Sequence, residues 1–149
     1  MINDDLKLRG DVAIVLKDKD GKVKESREIN NLVVSAGLTY ICSRMADASA
    51  GVMSHMALGS GTTAVAAGDT DLESILGSRE ALDSTTASSN TITYISSFES
   101  GEGTGAVTEA GIFNAVTAGT MLCHVIFPVV NKQADDTMSV TWTITLTAS

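Results

Sequence analysis

The clearest pattern in the chain lies near its C-terminus. Met138, Val140, Trp142, Ile144 and Leu146 alternate with Ser139, Thr141, Thr143, Thr145 and Thr147, the period-two signature of a strand with one buried and one solvated face. Val140, Trp142 and Ile144 are therefore expected in the core. Near the N-terminus, Val12, Ile14 and Leu16 alternate with Ala13, Val15 and Lys17, and Asp18-Lys19-Asp20-Gly21 supplies turn chemistry before Val23 and Ile29, which predicts a hairpin. The period then changes. Leu38, Ile41, Cys42 and Met45 fall at i, i+3, i+4 and i+7 behind Ser35, predicting a helix capped by Ser35 with that stripe on the core. A second short helix is predicted from Thr70-Asp71-Leu72-Glu73, a capping-box pattern stopped by Gly77.

Beyond Ser78 the chain reads strand, turn, strand. Residues 82–87 lead through Ser88-Ser89-Asn90 into Thr91-Ile92-Thr93-Tyr94-Ile95, and Gly101-Glu102-Gly103-Thr104-Gly105 opens onto a strand over 106–113. Ala118-Gly119 then turns the chain into a strand over 121–127, followed by a polar loop over 131–136. About seven or eight strands joined by links too short for helical crossovers imply antiparallel pairing. The expected fold is all-β with one or two short helices, an antiparallel β-sandwich or jelly-roll-like domain over residues 1–149, with 1–8 as an N-terminal arm. The strand over 121–127 is apolar on both faces around His124, so it is covered either within the chain or by another subunit. Met121, Leu122, His124 and Ile126 are the candidate interface residues, and a homo-oligomer, a trimer, is expected from them.

Composition narrows the function classes. With 44% hydrophobic and 19% charged residues, the chain has the apolar content to fold as one domain. A net charge of −8 without a basic cluster disfavours nucleic acid as partner. The longest apolar run, around 121–130, is interrupted by His124 and Pro128 and falls short of a membrane-spanning helix. The acidic start Met1-Ile2-Asn3-Asp4-Asp5 lacks a secretory layout, so residence in a cytosol is expected. Cys42 and Cys123, the two cysteines, cannot form a four-cysteine zinc site and are expected as buried free thiols.

No catalytic, cofactor or metal site is predicted. Asp18-Lys19-Asp20-Gly21 begins like a calcium loop, but the twelfth position is Ile29, where a carboxylate is needed. Ser54 and His55 are neighbours on an extended segment, so their side chains are expected on opposite faces. His124, in an apolar strand, reads as a hydrogen-bonded core or interface histidine. Gly101-Glu102-Gly103-Thr104-Gly105 lacks the strand-helix context of a dinucleotide site, and Gly59-Ser60-Gly61-Thr62-Thr63 lacks the lysine of a phosphate loop, so both read as flexible turns. Asp69, Asp71 and Glu73 together could hold a cation, yet a helix N-terminus accounts for the same carboxylates.

Three segments carry a family resemblance: Asn31-Leu32-Val33-Val34-Ser35-Ala36-Gly37-Leu38, Met53-Ser54-His55-Met56-Ala57-Leu58-Gly59-Ser60-Gly61-Thr62-Thr63, and Thr108-Glu109-Ala110-Gly111-Ile112-Phe113-Asn114. Their phrasing resembles that of small virion proteins of tailed bacteriophages, both capsid decoration (cement) proteins and virion-attached β domains of tail or collar fibres. The resemblance implies a non-enzymatic structural protein of the virion, made in the bacterial cytoplasm, whose partners are itself and the major capsid protein or other virion proteins. Within it, Glu109, Gly111, Ile112 and Phe113 are expected to form a structural hairpin: Gly111 admits close approach, while Ile112 and Phe113 take opposite faces. The chain has no collagen-like or heptad repeat after this hairpin, which favours the decoration protein over the fibre. A receptor- or glycan-binding module would offer exposed aromatics, but only 4% of residues are aromatic. A hydrolase acting on the host envelope would need a carboxylate pair in a groove, and 18 acidic residues leave that class open.

Overall fold

A computed structural model of the chain describes residues 5–47 and 49–148. Nine strands and one helix follow in the order β1 (Leu6–Lys17), β2 (Val23–Val33), α1 (Ser35–Ala46), β3 (His55–Gly59), β4 (Glu80–Ala81), β5 (Ser84–Ser88), β6 (Thr91–Phe98), β7 (Gly105–Phe113), β8 (Met121–Lys132) and β9 (Thr137–Ala148). All strand pairs are antiparallel, in the spatial order β4-β3-β7-β8-β2-β1-β9-β6-β5. The chain is all-β with a short helix. In place of the two packed sheets of the expected sandwich or jelly roll, the strands form one curled nine-stranded sheet. Among the described residues, two halves meet through two strand-paired positions, Leu32 with His124 and Val33 with Cys123, and share one core that includes Ile14, Trp142, Leu58 and Val125. On the far side, the segment over 80–88 passes from β3 to β6, tied by Leu82 N–H to Ser54 O at 2.9 Å and Asp83 N–H to Ile95 O at 2.7 Å.

The period-two strands lie as their patterns predict. Val12, Ile14 and Leu16 are buried, as are Val140, Trp142 and Ile144, and β1 pairs with β9 over their full lengths. The β1–β2 turn is built by Asp18, whose Oδ1 accepts from Asp20 N–H and Lys22 N–H at 2.9 Å each, with Gly21 at φ +83°. Of the arm expected over 1–8, residues 6–8 belong to β1, paired with Ala148, Thr147 and Leu146, and residues 1–4 lie outside the described residues. β8 continues through 131–132, the start of the stretch expected as a polar loop. Pro128, which has no N–H to donate, sits where the β7–β8 register shifts.

Of the predicted helical stripe only Ile41 packs on the core. Leu38 and Met45 are 45% and 79% exposed and Cys42 is exposed, while Gly37 is buried and Tyr40 and Ile41 pack on the core. Gly37 decides this: a Cβ there would sit 2.3 Å from Leu122 O, so α1 lies against the backbone of β8 on its glycine face. Ser35 is the first helical residue, and the capping position is Val34, with no side-chain cap. The expectation that both cysteines are buried therefore holds for Cys123 and fails for Cys42.

No helix forms at Thr70–Glu73: residues 60–79 are an irregular segment broken only by a bridge at Ile75. The carboxylates expected to cap a helix cap other backbone instead. Glu73 Oε2 accepts from Thr63 N–H at 2.9 Å, and Asp69 Oδ2 accepts from Ala66 N–H at 2.9 Å.

A buried carboxylate–histidine cluster as candidate functional site

β7 and β8 form a hairpin that places Glu109 and His124 on one face, near the irregular segment over 60–76. Glu109 is fully buried, at 0% exposure. An isolated carboxylate in that position would cost several kcal/mol, and here its oxygens are saturated. Oε1 accepts from Gly61 N–H at 3.0 Å and Ser74 N–H at 2.8 Å; Oε2 accepts from Glu73 N–H at 3.1 Å and lies 2.8 Å from His124 Nε2. On the other side of the imidazole, Nδ1 lies 2.8 Å from Asp69 Oδ2. An imidazolium donates from both nitrogens and so satisfies both carboxylates; a neutral ring donates from only one.

The glycines of Gly59-Ser60-Gly61 make this approach feasible. A Cβ on Gly59 or Gly61 would fall 2.5 Å or 2.6 Å from Glu109 Oε1. The stretch read as a flexible turn is thus a docking strip for a buried carboxylate. Thr108 Oγ1 adds a bond of 2.6 Å to Gly61 O, and Ser35 N–H to Ala67 O at 2.7 Å ties the same segment to the start of α1. Asp69 and Glu73 are held below the ordinary carboxylate range, first by the backbone N–H groups of Ala66 and Thr63 respectively.

No known family, curated protein or solved structure matches the chain.

The structural hairpin is assembled as expected. Gly111 is closely approached by Leu72, Met121 and Phe113, where a Cβ would lie 3.1 Å from each. Ile112 joins the main core, while Phe113 packs on the other face with Val34, Ala57 and Met121. Arg79, which no sequence pattern singles out, clamps this hairpin. Its guanidinium stacks 3.6 Å from the Phe113 ring centroid and donates to Ala115 O at 2.9 Å and Ala118 O at 2.7 Å.

The candidate interface residues are covered within the chain: Met121, Leu122 and His124 are 0%, 3% and 4% exposed, and Ile126 is half-buried. The two-sided apolar strand is central and needs no second subunit for cover. Asp69, Asp71, Glu73 and His124 line a cleft of about 310 Å³, but no group of three or more ligands able to hold a metal occurs among the described residues. Ser54 and His55 depart from expectation, with Oγ 2.8 Å from Nδ1. Ser54 precedes β3, so strand alternation does not separate the two side chains. Among the described residues no carboxylate pairs with His55 to orient it as a base.

Proposed function

We propose that the chain is a non-catalytic structural module of a bacteriophage virion, a decoration (cement) protein that binds the outer capsid surface and stabilises it. One observation carries this reading. The three segments whose phrasing resembles phage virion proteins converge in space: β3 pairs with β7, Val34 packs with Ala57 and Phe113, and Glu109 binds Gly61. The resemblance therefore falls on a scaffold. The cluster at its centre has its hydrogen-bonding capacity engaged, since a general base needs a free nitrogen and both nitrogens of His124 face carboxylates. The fibre-associated and glycan-binding readings have less support. Trp142, Phe98 and Phe113 are fully buried, Tyr94 and Phe127 are each 6% exposed, and Tyr40 is half-buried, which leaves little aromatic surface for stacking on sugars.

The test is localisation in purified particles by antibody labelling, together with addition of the chain to particles lacking it. Label distributed over the capsid and a rise in the temperature at which capsids release their genome are expected. Absence from particles, or label confined to the tail, overturns the decoration reading.

A further inference from the structure

Among the described residues, the unpaired edges of β2, β8 and β5 differ in their protection. The free edge of β2 carries Lys24, Glu25, Arg27 and Glu28, with Lys24 Nζ anchored 2.7 Å from Asp136 Oδ2. The free edge of β8 carries Pro128 and lies at a register shift. Charges, proline and bulges are the devices that keep edges from pairing. β5 has none of them. It ends the sheet and pairs on one side only, with β6. Its sequence is Ser-Thr-Thr-Ala-Ser, every residue exposed.

We propose that β5 is a self-association edge, at which two copies of the chain join their sheets by antiparallel β5–β5 pairing about a two-fold axis at Thr86. An isologous contact must be self-complementary, and this strand is nearly so. Reversed about Thr86, Ser84 meets Ser88, Thr85 meets Ala87, and Thr86 meets its own copy, all small side chains in a strand free of charge. The register also resolves the repulsion expected between chains of net charge −8. Asp83, the acidic residue next to the strand, falls opposite Ser89 of the second copy rather than opposite another carboxylate. Thr85 also lines an apolar cleft of about 380 Å³ with Tyr40, Ile41, Val52, Ile92 and Leu146, so the joined strands would border apolar surface that adds to a short ladder. The inference rests on edge chemistry alone and does not depend on the virion reading.

The experiment uses the full chain with Cys42→Ser as background, since Cys42 is exposed. Directly opposed Cβ atoms lie about 4.5–5.5 Å apart, near enough for a disulfide with slight adjustment. Thr86→Cys should therefore give a cross-linked dimer on mild oxidation, while Glu28→Cys on the β2 edge should stay monomeric. Sedimentation velocity at 10–100 µM, an experimental range of about those concentrations chosen against ordinary dimer affinities, should show a dimer. Thr86→Lys, with an unchanged far-UV spectrum, should weaken it at least about tenfold by opposing like charges across the axis. A monomer throughout, equal cross-linking from Glu28→Cys, or a dimer untouched by Thr86→Lys each overturns the proposal. If the monomeric chain loses attachment to particles on Thr86→Lys, the edge belongs to a strand of another protein, and self-pairing is rejected while the virion reading stands.

Discussion

Glu109 Oε2 and His124 Nε2 lie 2.8 Å apart across the β7–β8 hairpin, and between them they fasten a long irregular segment to a regular sheet. The carboxylate serves three backbone N–H groups from residues 61, 73 and 74, replacing the ladder bonds that this segment lacks. Glu109→Gln keeps the shape but turns an NH2 group toward donors. Leaving buried donors without an acceptor costs about 1–3 kcal/mol per group, so a loss of about 3 kcal/mol or more is expected by urea denaturation. Hydrogen exchange should accelerate over 60–76 before the β1–β9 pair. Wild-type stability in Glu109→Gln would mean that the carboxylate is not what holds the segment.

Acidification should act through Asp136, Asp69 and Glu73. Asp136 is held below its ordinary value first by Lys24 and then by Gln133 N–H, and Asp69 and Glu73 are lowered by backbone donors. A carboxyl group whose folded value lies below its unfolded one contributes stability above the unfolded value and loses it as pH falls through the folded one. Thermal stability should therefore be nearly level from about pH 7 to 5 and fall below about 4, the ordinary carboxylate range. Asp136→Asn should be less stable at neutral pH and lose less on acidification. A melting temperature constant down to about pH 2.5 would contradict these assignments.

Trp142 is fully buried between Val140 and Ile144 on the inner face of β9. Trp142→Ala should cost about 3–5 kcal/mol, a large share of the about 5–15 kcal/mol that holds a domain together. Thr143 points the other way, half-buried, with its hydroxyl 3.3 Å from that of Thr93, and Thr143→Ala should cost under about 1 kcal/mol. Equal losses from the two substitutions, measured by denaturant titration, would mean that the faces of β9 are reversed.

What could be read from the sequence divides along a physical line. Strands such as β1 and β9 declare themselves, because alternation is a local property and the buried face follows from it. The cluster at Glu109 does not, because its partners at 61, 69, 73, 74 and 124 are distant along the chain and meet only through the fold. Glycines spaced as Gly59 and Gly61, ahead of a lone glutamate in an apolar strand, were the available signal. The capping-box pattern at Thr70 failed for the same reason: Glu73 found Thr63 N–H across the segment rather than a helix of its own.

The two thiols give a direct check on the orientation of α1. Cys42 is exposed on the outward stripe of the helix, whereas Cys123 is buried and its thiol is pushed up to about 12 by burial, which suppresses the reactive thiolate. Alkylation of the native protein should modify Cys42 alone, with Cys123 reacting only after denaturation. Protection of both thiols would instead place Cys42 on the core side of α1 beside Ile41, as the stripe of Leu38, Ile41, Cys42 and Met45 predicts.

Gly37→Ala tests the same orientation through its cause. In an exposed helix interior this substitution stabilises by about 0.5–1 kcal/mol, because alanine loses less backbone freedom on folding than glycine. Here the added methyl would meet Leu122 O at 2.3 Å and Leu122 Cα at 3.0 Å, and backbone in a central strand cannot retreat as a flexible side chain can. The helix must lift or β8 must bend, and crowding of this kind typically costs about 1–3 kcal/mol. The sign is therefore reversed: Gly37→Ala should lower stability, while Ala46→Gly at the exposed end of α1 should cost no more than about 1 kcal/mol. The Tyr40 and Ile41 packing should loosen with it, making Cys123 more accessible to alkylating reagent in the Gly37→Ala protein. A stabilised Gly37→Ala variant with Cys123 still protected would show that α1 does not rest on the backbone of β8.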